Sequence, residues 1–289
     1  MAILDGKGVA AQLREELRQE IALHAVRPPR LDVILVGEEV ASSIYVKGKV
    51  AACLEVGIEA HVHRHTSEVS QRELLDEIAD LNENPFVDGI LVQLPLPKGI
   101  DERLVTWAVD PAKDVDGFHP MNRGKLLLGE ERALFPCTPL AVSELFARYA
   151  ISTQGKHVVI VGRSDVVGKP LAVLLLQKGM RGNATVTVAH SFTEDLASLS
   201  VQADILVAAL GRPRFITAPM VKEGAVVIDV GINALVAGQE GERRKIVGDV
   251  DYVEVAKKCS WITPVPGGVG PMTIAMLLSN TWKAYRSHL

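Results

Sequence analysis

The chain is poor in the features that mark secreted, zinc-stabilised and membrane proteins. Its 289 residues include only three cysteines, Cys53, Cys137 and Cys259, with no CxxC spacing. We therefore expect neither a disulfide framework nor a zinc site, and a reducing compartment. No apolar run reaches membrane-spanning length, and the first residues lack the basic and apolar segments of a signal peptide. These absences predict a cytoplasmic protein with no membrane partner.

Aromatic residues and an excess of positive charge are also missing. Aromatic residues make up 4% of the chain whereas hydrophobic residues make up 48%, so the core must be mainly aliphatic. Such a core suits the buried strands of parallel sheets. The net charge of −4 offers no basic excess for binding nucleic acid. The length is sufficient for two α/β domains.

Apolar strands alternate with helical segments along most of the chain, which predicts parallel sheets with ligands at the carboxyl ends of the strands. Residues 111–139 are expected to be mostly loop, and residues 234–245 an exposed loop or hairpin. Ser70 and Glu73 have the spacing of a capping box. Strands are expected at 31–36, 59–65, 87–94, 158–161, 185–189, 205–208 and 226–230, and helices at 9–24, 42–56, 70–82, 140–149 and 271–285.

The most informative segment covers residues 157–191. An apolar strand enters a turn that contains Gly162, Arg163 and Ser164, a helix follows, and a second strand leads to Ser191. This pattern predicts a βαβ unit whose glycine turn and helix N-terminus bind a pyrophosphate. No carboxylate follows the second strand to repel a 2′-phosphate, so the pattern favours NADP over NAD. The alternative is a structural crossover without a ligand.

Four polar residues could carry the chemistry of a reaction. Tyr45 and Lys49 are four positions apart on a predicted helix, where the ring could stack on a flat substrate and the amine could move a proton. Gln93 ends an apolar strand, and Asp116 lies in a glycine-containing loop, where a carboxylate could hold an aminopyrimidine edge. The alternatives are a surface Tyr/Lys pair, a satisfied edge glutamine and ordinary turn chemistry.

Other polar residues favour structural interpretations. Cys137 has no recognisable base nearby in the sequence, so we expect it to serve as a small residue in a tight interdomain loop and not as a nucleophile. Asp229 and Asp249 each end an apolar stretch near a glycine and are expected at turns or sheet ends. The three alternating histidines of residues 59–65 have no evident carboxylate or cysteine partner, which favours a partly exposed strand over a metal site.

The order of several short motifs is more specific than any one of them. Together they closely resemble the bifunctional methylenetetrahydrofolate dehydrogenase/methenyltetrahydrofolate cyclohydrolase family over nearly the whole chain. The motifs are Tyr45-x-x-x-Lys49, Gln93-Leu-Pro-Leu-Pro97, Lys113-Asp-Val-Asp-Gly117, Pro136-Cys-Thr-Pro139, Val161-Gly-Arg-Ser164, Asp229-Val-Gly-Ile-Asn233 and the Pro/Gly-rich stretch from Thr263 to Thr273.

The resemblance implies an α/β fold of two domains with the active-site cleft between them. A catalytic folate domain would comprise residues 1–139 with the C-terminal helix 271–289, and a Rossmann-like NADP-binding domain residues 140–270. The enzyme would oxidise 5,10-methylenetetrahydrofolate with NADP⁺ and then hydrolyse the methenyl cation to 10-formyltetrahydrofolate. The family also implies a homodimer.

The resemblance further implies a role for each candidate residue. Lys49 would be the acid/base of the hydrolytic step, and Gln93 would hydrogen-bond and tune it. Tyr45 would stack on the substrate's rings, and Asp116 would hold the aminopyrimidine edge of the pterin. Ser42, Pro266, Gly267 and Gly268 would line the folate cleft, and Gly162, Arg163, Ser164, Ser191, Ile232 and Thr273 would contact NADP.

The implied chemistry agrees with the residues present. Hydride transfer needs only the two rings held in contact. Hydrolysis needs proton transfer, and a cationic substrate favours the neutral form of a nearby lysine such as Lys49. Two alternatives remain at this point. One is another NADP-linked dehydrogenase of a small substrate, and the other is a regulator that binds NADP without turnover.

Overall fold

Two units make up the computed structural model, which describes residues 1–130, 132–235 and 245–288. The first unit comprises Ala11–Cys137 with Ile274–Leu289, and the second Met1–Ala10 with Thr138–Thr273. The strands are β1 (Ala2–Ile3), β2 (Arg30–Val36), β3 (Glu59–His65), β4 (Gly89–Val92), β5 (His157–Val161), β6 (Thr185–Ala189), β7 (Ile205–Ala208), β8 (Val226–Asp229), β9 (Asn233–Leu235), β10 (Lys245–Val247) and β11 (Trp261–Ile262). The helices are α1 (Gly6–His24), α2 (Val40–Val56), α3 (Gln71–Glu83), α4 (Glu102–Trp107), α5 (Pro120–Leu128), α6 (Cys137–Arg148), α7 (Gly168–Leu176), α8 (Leu196–Ser200), α9 (Tyr252–Ala256) and α10 (Val269–Ser287).

A three-stranded parallel sheet lies at the centre of the first unit. β2 is the middle strand and pairs in parallel with β3 on one side and β4 on the other. Residues 31–36 of β2 are all buried, because helices of this unit cover the sheet. One part of the core packs β2 and β4 against α3 and α4, through Leu74, Ile78 and Val105 among others.

A six-stranded parallel sheet forms the second unit, in the order β1-β11-β8-β7-β5-β6. The central strands β5, β7 and β8 are almost entirely aliphatic, and residues 158–161 are fully buried. β9 and β10 form a separate antiparallel pair. This pairing agrees with the hairpin expected over residues 234–245, of which residues 236–244 lie outside the described part of the chain.

Most of the expected elements are present, with shifts of a few residues at their ends. The capping box is confirmed, since the Ser70 hydroxyl accepts the Glu73 backbone N–H and the Glu73 carboxylate accepts the Ser70 N–H. In the part of the chain that the structure describes, no helix has the length and apolar character needed to cross a membrane.

The structure adds elements that the sequence prediction did not include. Residues 111–139 are mostly loop as expected, but α5 occupies residues 120–128 within them. Its ends follow known rules, since Pro120 is the first helical residue, the His119 ring accepts the Met121 N–H, and Gly129 ends the helix in the left-handed conformation. Strand β1 was not anticipated, and its pairing with β11 places residues 1–10 in the second unit.

Candidate active site

Lys49 and Gln93 meet at the carboxyl end of the sheet in the first unit. Gln93 directly follows β4, and α2 carries Lys49, whose Nζ donates a hydrogen bond of 3.0 Å to Gln93 Oε1. Gln93 Nε2 donates to the Leu94 carbonyl at 2.7 Å, which turns the amide oxygen toward the lysine. The fold therefore joins two candidate residues that are 44 positions apart in the sequence.

Asp116 lies beside this pair. The segment before it extends the sheet, since the Ile90 N–H donates to the Lys113 carbonyl at 2.8 Å and Ile90 bridges to Asp114 in parallel. Burial raises the pKa of the Asp116 carboxyl, and the Asp114 charge raises this pKa further, whereas the positive charge of Lys49 opposes the rise. The structure thus brings Lys49, Gln93 and Asp116 together.

Lys113 and Asp114, which precede Val115 and Asp116, have structural roles. The amine of Lys113 donates to three backbone carbonyls at and beyond the end of α3, at 2.7 to 3.1 Å. The Asp114 carboxylate accepts two backbone N–H groups, at 2.8 and 3.1 Å, and the Asn122 amide at 2.9 Å. Burial lowers the pKa of Lys113 and raises that of Asp114. Asn122, which the sequence analysis did not consider, therefore helps to hold the loop.

Tyr45 and Ser42 lie on α2 before Lys49. The Tyr45 side chain is one turn from Lys49 and is 43% exposed, so its ring is free to stack on a ligand. Ser42 is buried, and its hydroxyl donates to Glu39 Oε2 at 2.9 Å. The Ser42 hydroxyl is therefore already hydrogen-bonded at the N-terminus of α2.

Cys137 is the first residue of α6, which corrects the expectation that it lies in a loop. Its thiol donates to the Val115 carbonyl at 3.3 Å. Burial and the charge of Asp116 raise the pKa of the thiol well above its usual value. Since the nucleophile would have to be a thiolate, this cysteine is not a nucleophile at neutral pH, as the sequence analysis expected.

In the second unit, Gly162 directly follows β5 and makes the turn before α7. Its φ is +134°, and a Cβ there would lie 2.1 Å from the Ala209 carbonyl oxygen, so no other residue fits. A Cβ on Gly168, at the start of α7, would lie 2.1 Å from the Gly162 carbonyl oxygen. The missing side chains allow the tight strand-to-helix turn that is typical of a phosphate-binding turn. The N–H groups of Gly168 and Lys169 at the start of α7 donate to Ser164.

Arg163, Ser164 and Ser191 are exposed around this turn. The Arg163 guanidinium lies 5.8 Å from the centre of the Phe192 ring, just after β6. The Ser164 hydroxyl accepts the Val167 N–H at 3.1 Å and keeps its proton free to donate. Three donors for an anion thus lie on the loops that follow two adjacent parallel strands.

The other predicted ligand contacts of this unit also follow its strands. Ile232, after β8, is 49% exposed. Thr273 Oγ1 lies 3.4 Å from Thr138 Oγ1 and donates to the Val269 carbonyl at 3.3 Å. The loop after β11 contains Pro266, Gly267 and Gly268, and the Gly267 carbonyl, at a φ of +106°, accepts the Lys7 N–H at 2.9 Å.

Asp229 and Asp249 hold the loops at this edge of the sheet. Asp249 accepts the N–H groups of residues 210–212 at 2.6 to 2.9 Å and the Asn233 amide at 2.8 Å. Asp229 accepts the N–H groups of Gly231, Asp249 and Val250, while burial raises its pKa to about 6. The expectation of sheet-end roles is confirmed, but the clamp between the loops after β7 and β8 was not anticipated.

The histidines of β3 have carboxylate partners that the sequence analysis missed. His63 Nε2 lies 2.6 Å from Asp32 Oδ1, and its Nδ1 lies 2.9 Å from Glu77 Oε1. His65 Nε2 lies 2.7 Å from Glu77 Oε2. These partners come from β2 and α3, so no local pattern could reveal them. Within residues 1–130, 132–235 and 245–288, no group of three or more potential ligands is arranged to hold a metal.

Comparison with protein families matches both units. The model of the tetrahydrofolate dehydrogenase/cyclohydrolase catalytic domain matches residues 4–116, and that of the NAD(P)-binding domain matches residues 136–289. The chain belongs to the tetrahydrofolate dehydrogenase/cyclohydrolase family. The resemblance seen in the motifs and the expected two-domain α/β fold are thereby confirmed. Neither alternative, the regulator or a dehydrogenase of another substrate, explains a match to the catalytic domain of this particular family.

Individual relatives of this family are similar over their whole length. The bifunctional protein FolD of Protochlamydia amoebophila is 51% identical over 98% of this chain and 97% of its own. The crystal structure of the FolD dehydrogenase/cyclohydrolase from Campylobacter jejuni is 48% identical, with a TM-score of 0.94 and full coverage of both chains. The Trypanosoma brucei FolD structure, complexed with NADP cofactor and inhibitor, is 37% identical, with a TM-score of 0.92 over 99% of this chain and 97% of its own.

Gly117, next to Asp116, provides a test of how tightly this loop is built. It has a φ of +71°, and a Cβ would lie 2.4 Å from backbone atoms of Phe135 and Pro136. We expect Gly117→Ala to lower the free energy of unfolding by about 2 kcal/mol or more. Gly124→Ala is the matched control, because this glycine is exposed in α5 with no atom within 4 Å of its Cβ. Thermal unfolding of both variants checks the difference, and equal stabilities would contradict it.

Proposed function

We propose that this enzyme oxidises 5,10-methylenetetrahydrofolate to the methenyl cation with NADP⁺ and then hydrolyses the cation to 10-formyltetrahydrofolate. The observation that carries the proposal is the 3.0 Å hydrogen bond between Lys49 Nζ and Gln93 Oε1, with the Asp116 carboxyl beside it. An amine, an amide and a half-buried carboxyl suit the hydrolysis of a folate. They provide a proton carrier, its orienting partner and an acceptor for the substrate's amino groups.

The glycine turn of the second unit fits NADP. The tight turn that begins at Gly162 would hold the pyrophosphate, as in other glycine turns between a strand and a helix. Arg163, Ser164 and Ser191 would hold the 2′-phosphate through charge-assisted hydrogen bonds. Ile232 and Thr273 would make further contacts with the coenzyme. When bound, NADP⁺ supplies the hydride acceptor.

The folate would bind through Asp116. Its carboxyl group would accept two parallel hydrogen bonds from the aminopyrimidine edge, and burial strengthens such bonds because water competes less for them. The exposed ring of Tyr45 would stack on the substrate, within one helical turn of Lys49. Ser42, on the same helix, would add to the lining. For Pro266, Gly267 and Gly268 the proposed folate contact rests on the family resemblance.

Lys49 would move the protons of hydrolysis. Water adds to the methenyl carbon, and the Lys49 amine accepts a proton from this water. The amine then returns a proton to N5 of the folate as the bond from N5 to the carbon breaks. The hydroxyl on that carbon releases its proton to solvent and becomes the carbonyl of the formyl group on N10. Gln93 keeps Nζ oriented during both transfers, since its own amide is fixed by the Leu94 carbonyl.

We also propose the folate domain over residues 1–139 with 271–289, the NADP domain over residues 140–270, a cytoplasmic location and a homodimer. The grouping of Ala11–Cys137 with Ile274–Leu289 supports this division, with residues 1–10 as the exception. The free, buried state of Cys53, Cys137 and Cys259 supports a reducing compartment. The homodimer rests on the family alone.

Replacing Lys49 tests the hydrolytic role. We expect Lys49→Ala to lower the cyclohydrolase rate by a factor of about 100 or more, the usual contribution of a general acid/base, and to leave NADP⁺ affinity unchanged. Decay of the methenyl cation's absorbance measures the rate. Lys47→Ala is the control, because Lys47 is exposed on the same helix. Full hydrolysis by Lys49→Ala would remove Lys49 from the mechanism.

Replacing Asp116 tests the folate anchor. We expect Asp116→Ala to raise the KM for methylenetetrahydrofolate roughly ten- to hundredfold, the range for losing hydrogen bonds to a charged group, while the KM for NADP⁺ stays the same. Asp116→Asn keeps one acceptor and should give an intermediate KM. Initial rates at varied folate concentrations provide both values. An unchanged folate KM in Asp116→Ala would disprove the anchor.

Replacing Arg163 tests coenzyme selection. The native enzyme should form reduced coenzyme faster with NADP⁺ than with NAD⁺ at equal methylenetetrahydrofolate. We expect Arg163→Ala to lower the NADP⁺/NAD⁺ ratio of kcat/KM by a factor of about 10, because one charged contact to the 2′-phosphate is lost. Lys178→Ala, which removes an exposed charge beyond the end of α7, is the control. A ratio unaltered in Arg163→Ala would place the phosphate contact elsewhere.

A further inference from the structure

A buried asparagine in the last helix contacts the loops on either side of Asp116. Asn280 of α10 is only 3% exposed. Its Nδ2 donates to the Val115 carbonyl at 2.8 Å and to the Phe135 carbonyl at 2.9 Å, and lies 3.6 Å from Cys137 Sγ. The amide thus satisfies two carbonyls that come from segments 20 residues apart in the chain.

These contacts hold the backbone that carries the Asp116 carboxyl. Val115 precedes Asp116 directly, and Phe135 belongs to the segment against which Gly117 packs. Because there is no room for a Cβ at Gly117, the two segments are in close backbone contact. The Asn280 amide of α10 hydrogen-bonds to both segments. Loss of that amide would leave two buried carbonyls without this donor, so the loop would be expected to shift.

The same amide also contacts the Cys137 thiol. The thiol donates to the Val115 carbonyl at 3.3 Å, and Asn280 Nδ2 lies 3.6 Å from the sulfur. The two lone pairs of the Val115 carbonyl accommodate both the thiol and the Asn280 amide. Asn280 therefore holds the residue before Asp116 in two ways, by its own hydrogen bond to Val115 and by its contact with Cys137.

We propose that Asn280 is a positioning residue for Asp116, and thereby for the aminopyrimidine edge of the folate. The inference rests on the proposed function of Asp116. A purely structural asparagine would stabilise the fold without affecting folate affinity. A positioning residue instead sets the folate KM through the direction of one carboxyl group, while coenzyme binding, which the second unit provides, is unaffected.

Asn280→Ala and a neighbouring control separate the two roles. Thr281 is fully buried on the same helix, and its hydroxyl donates only within that helix, to the Leu277 carbonyl at 2.9 Å. Thr281→Val therefore removes a buried hydrogen bond of α10 without touching the loops. We expect Asn280→Ala to raise the folate KM roughly tenfold with an unchanged NADP⁺ KM, and Thr281→Val to lower the thermal midpoint without changing either KM.

A double-mutant cycle with Asp116→Ala gives the decisive result. If Asn280 acts through Asp116, then Asn280→Ala raises the folate KM in the native background but not in the Asp116→Ala background. Additive effects, or a folate KM that stays at the native value in Asn280→Ala, would overturn the proposal. Asn280→Ser, which keeps one donor, takes the place of Asn280→Ala in the cycle if the alanine variant does not fold.

The proposed function fails in a different way from this inference. If the native enzyme does not turn over methylenetetrahydrofolate at all, the function is wrong. If the native enzyme is active and Asp116→Ala raises the folate KM, but Asn280→Ala does not, then only the positioning role of Asn280 is wrong.

Discussion

Parallel strand pairing is the constraint on which the rest of this structure depends. In a parallel sheet every strand ends at the same edge, so residues that follow different strands become neighbours. Gln93 follows β4 and meets Lys49 from α2 for this reason. In the second unit, the turns after β5, β6, β7 and β8 share one edge, and Gly162 packs on the Ala209 carbonyl there. Both groups of candidate residues arise from this one geometric rule.

Buried polar side chains keep these edges in place. Asp249 and Asp229 accept backbone N–H groups of the second unit, and Asp114, Lys113 and Asn280 bind backbone groups of the first. Each of these side chains provides the hydrogen-bond partner that water would provide to an exposed loop backbone. The cost of their burial is visible in the raised pKa of Asp229 and the lowered pKa of Lys113. The loops that carry the candidate residues are therefore held by buried side chains bonded to the loop backbone.

Local patterns located most strands and helices because their signals are local. The alternation of apolar strands with helices, the Ser70 capping box and the glycine turn at Gly162 each depend on residues a few positions apart. The failure over residues 120–128 was also local, since Pro120 and Gly129 are ordinary helix-end signals placed within a stretch rich in turn residues. By contrast, strand β1 has only two residues and exists because β11 offers it a partner.

By itself the sequence determined the fold class, the motifs and the identity of the candidate residues, because composition, periodicity and motif order are properties of the chain. Only the tertiary structure decided how these residues are partnered. It joined Lys49 to Gln93, moved Cys137 from an expected loop into a helix beside Asp116, and supplied Asp32 and Glu77 to the histidines of β3. The physical reason is that hydrogen bonds, desolvation and pKa shifts depend on distances between atoms, and sequence separation does not determine those distances.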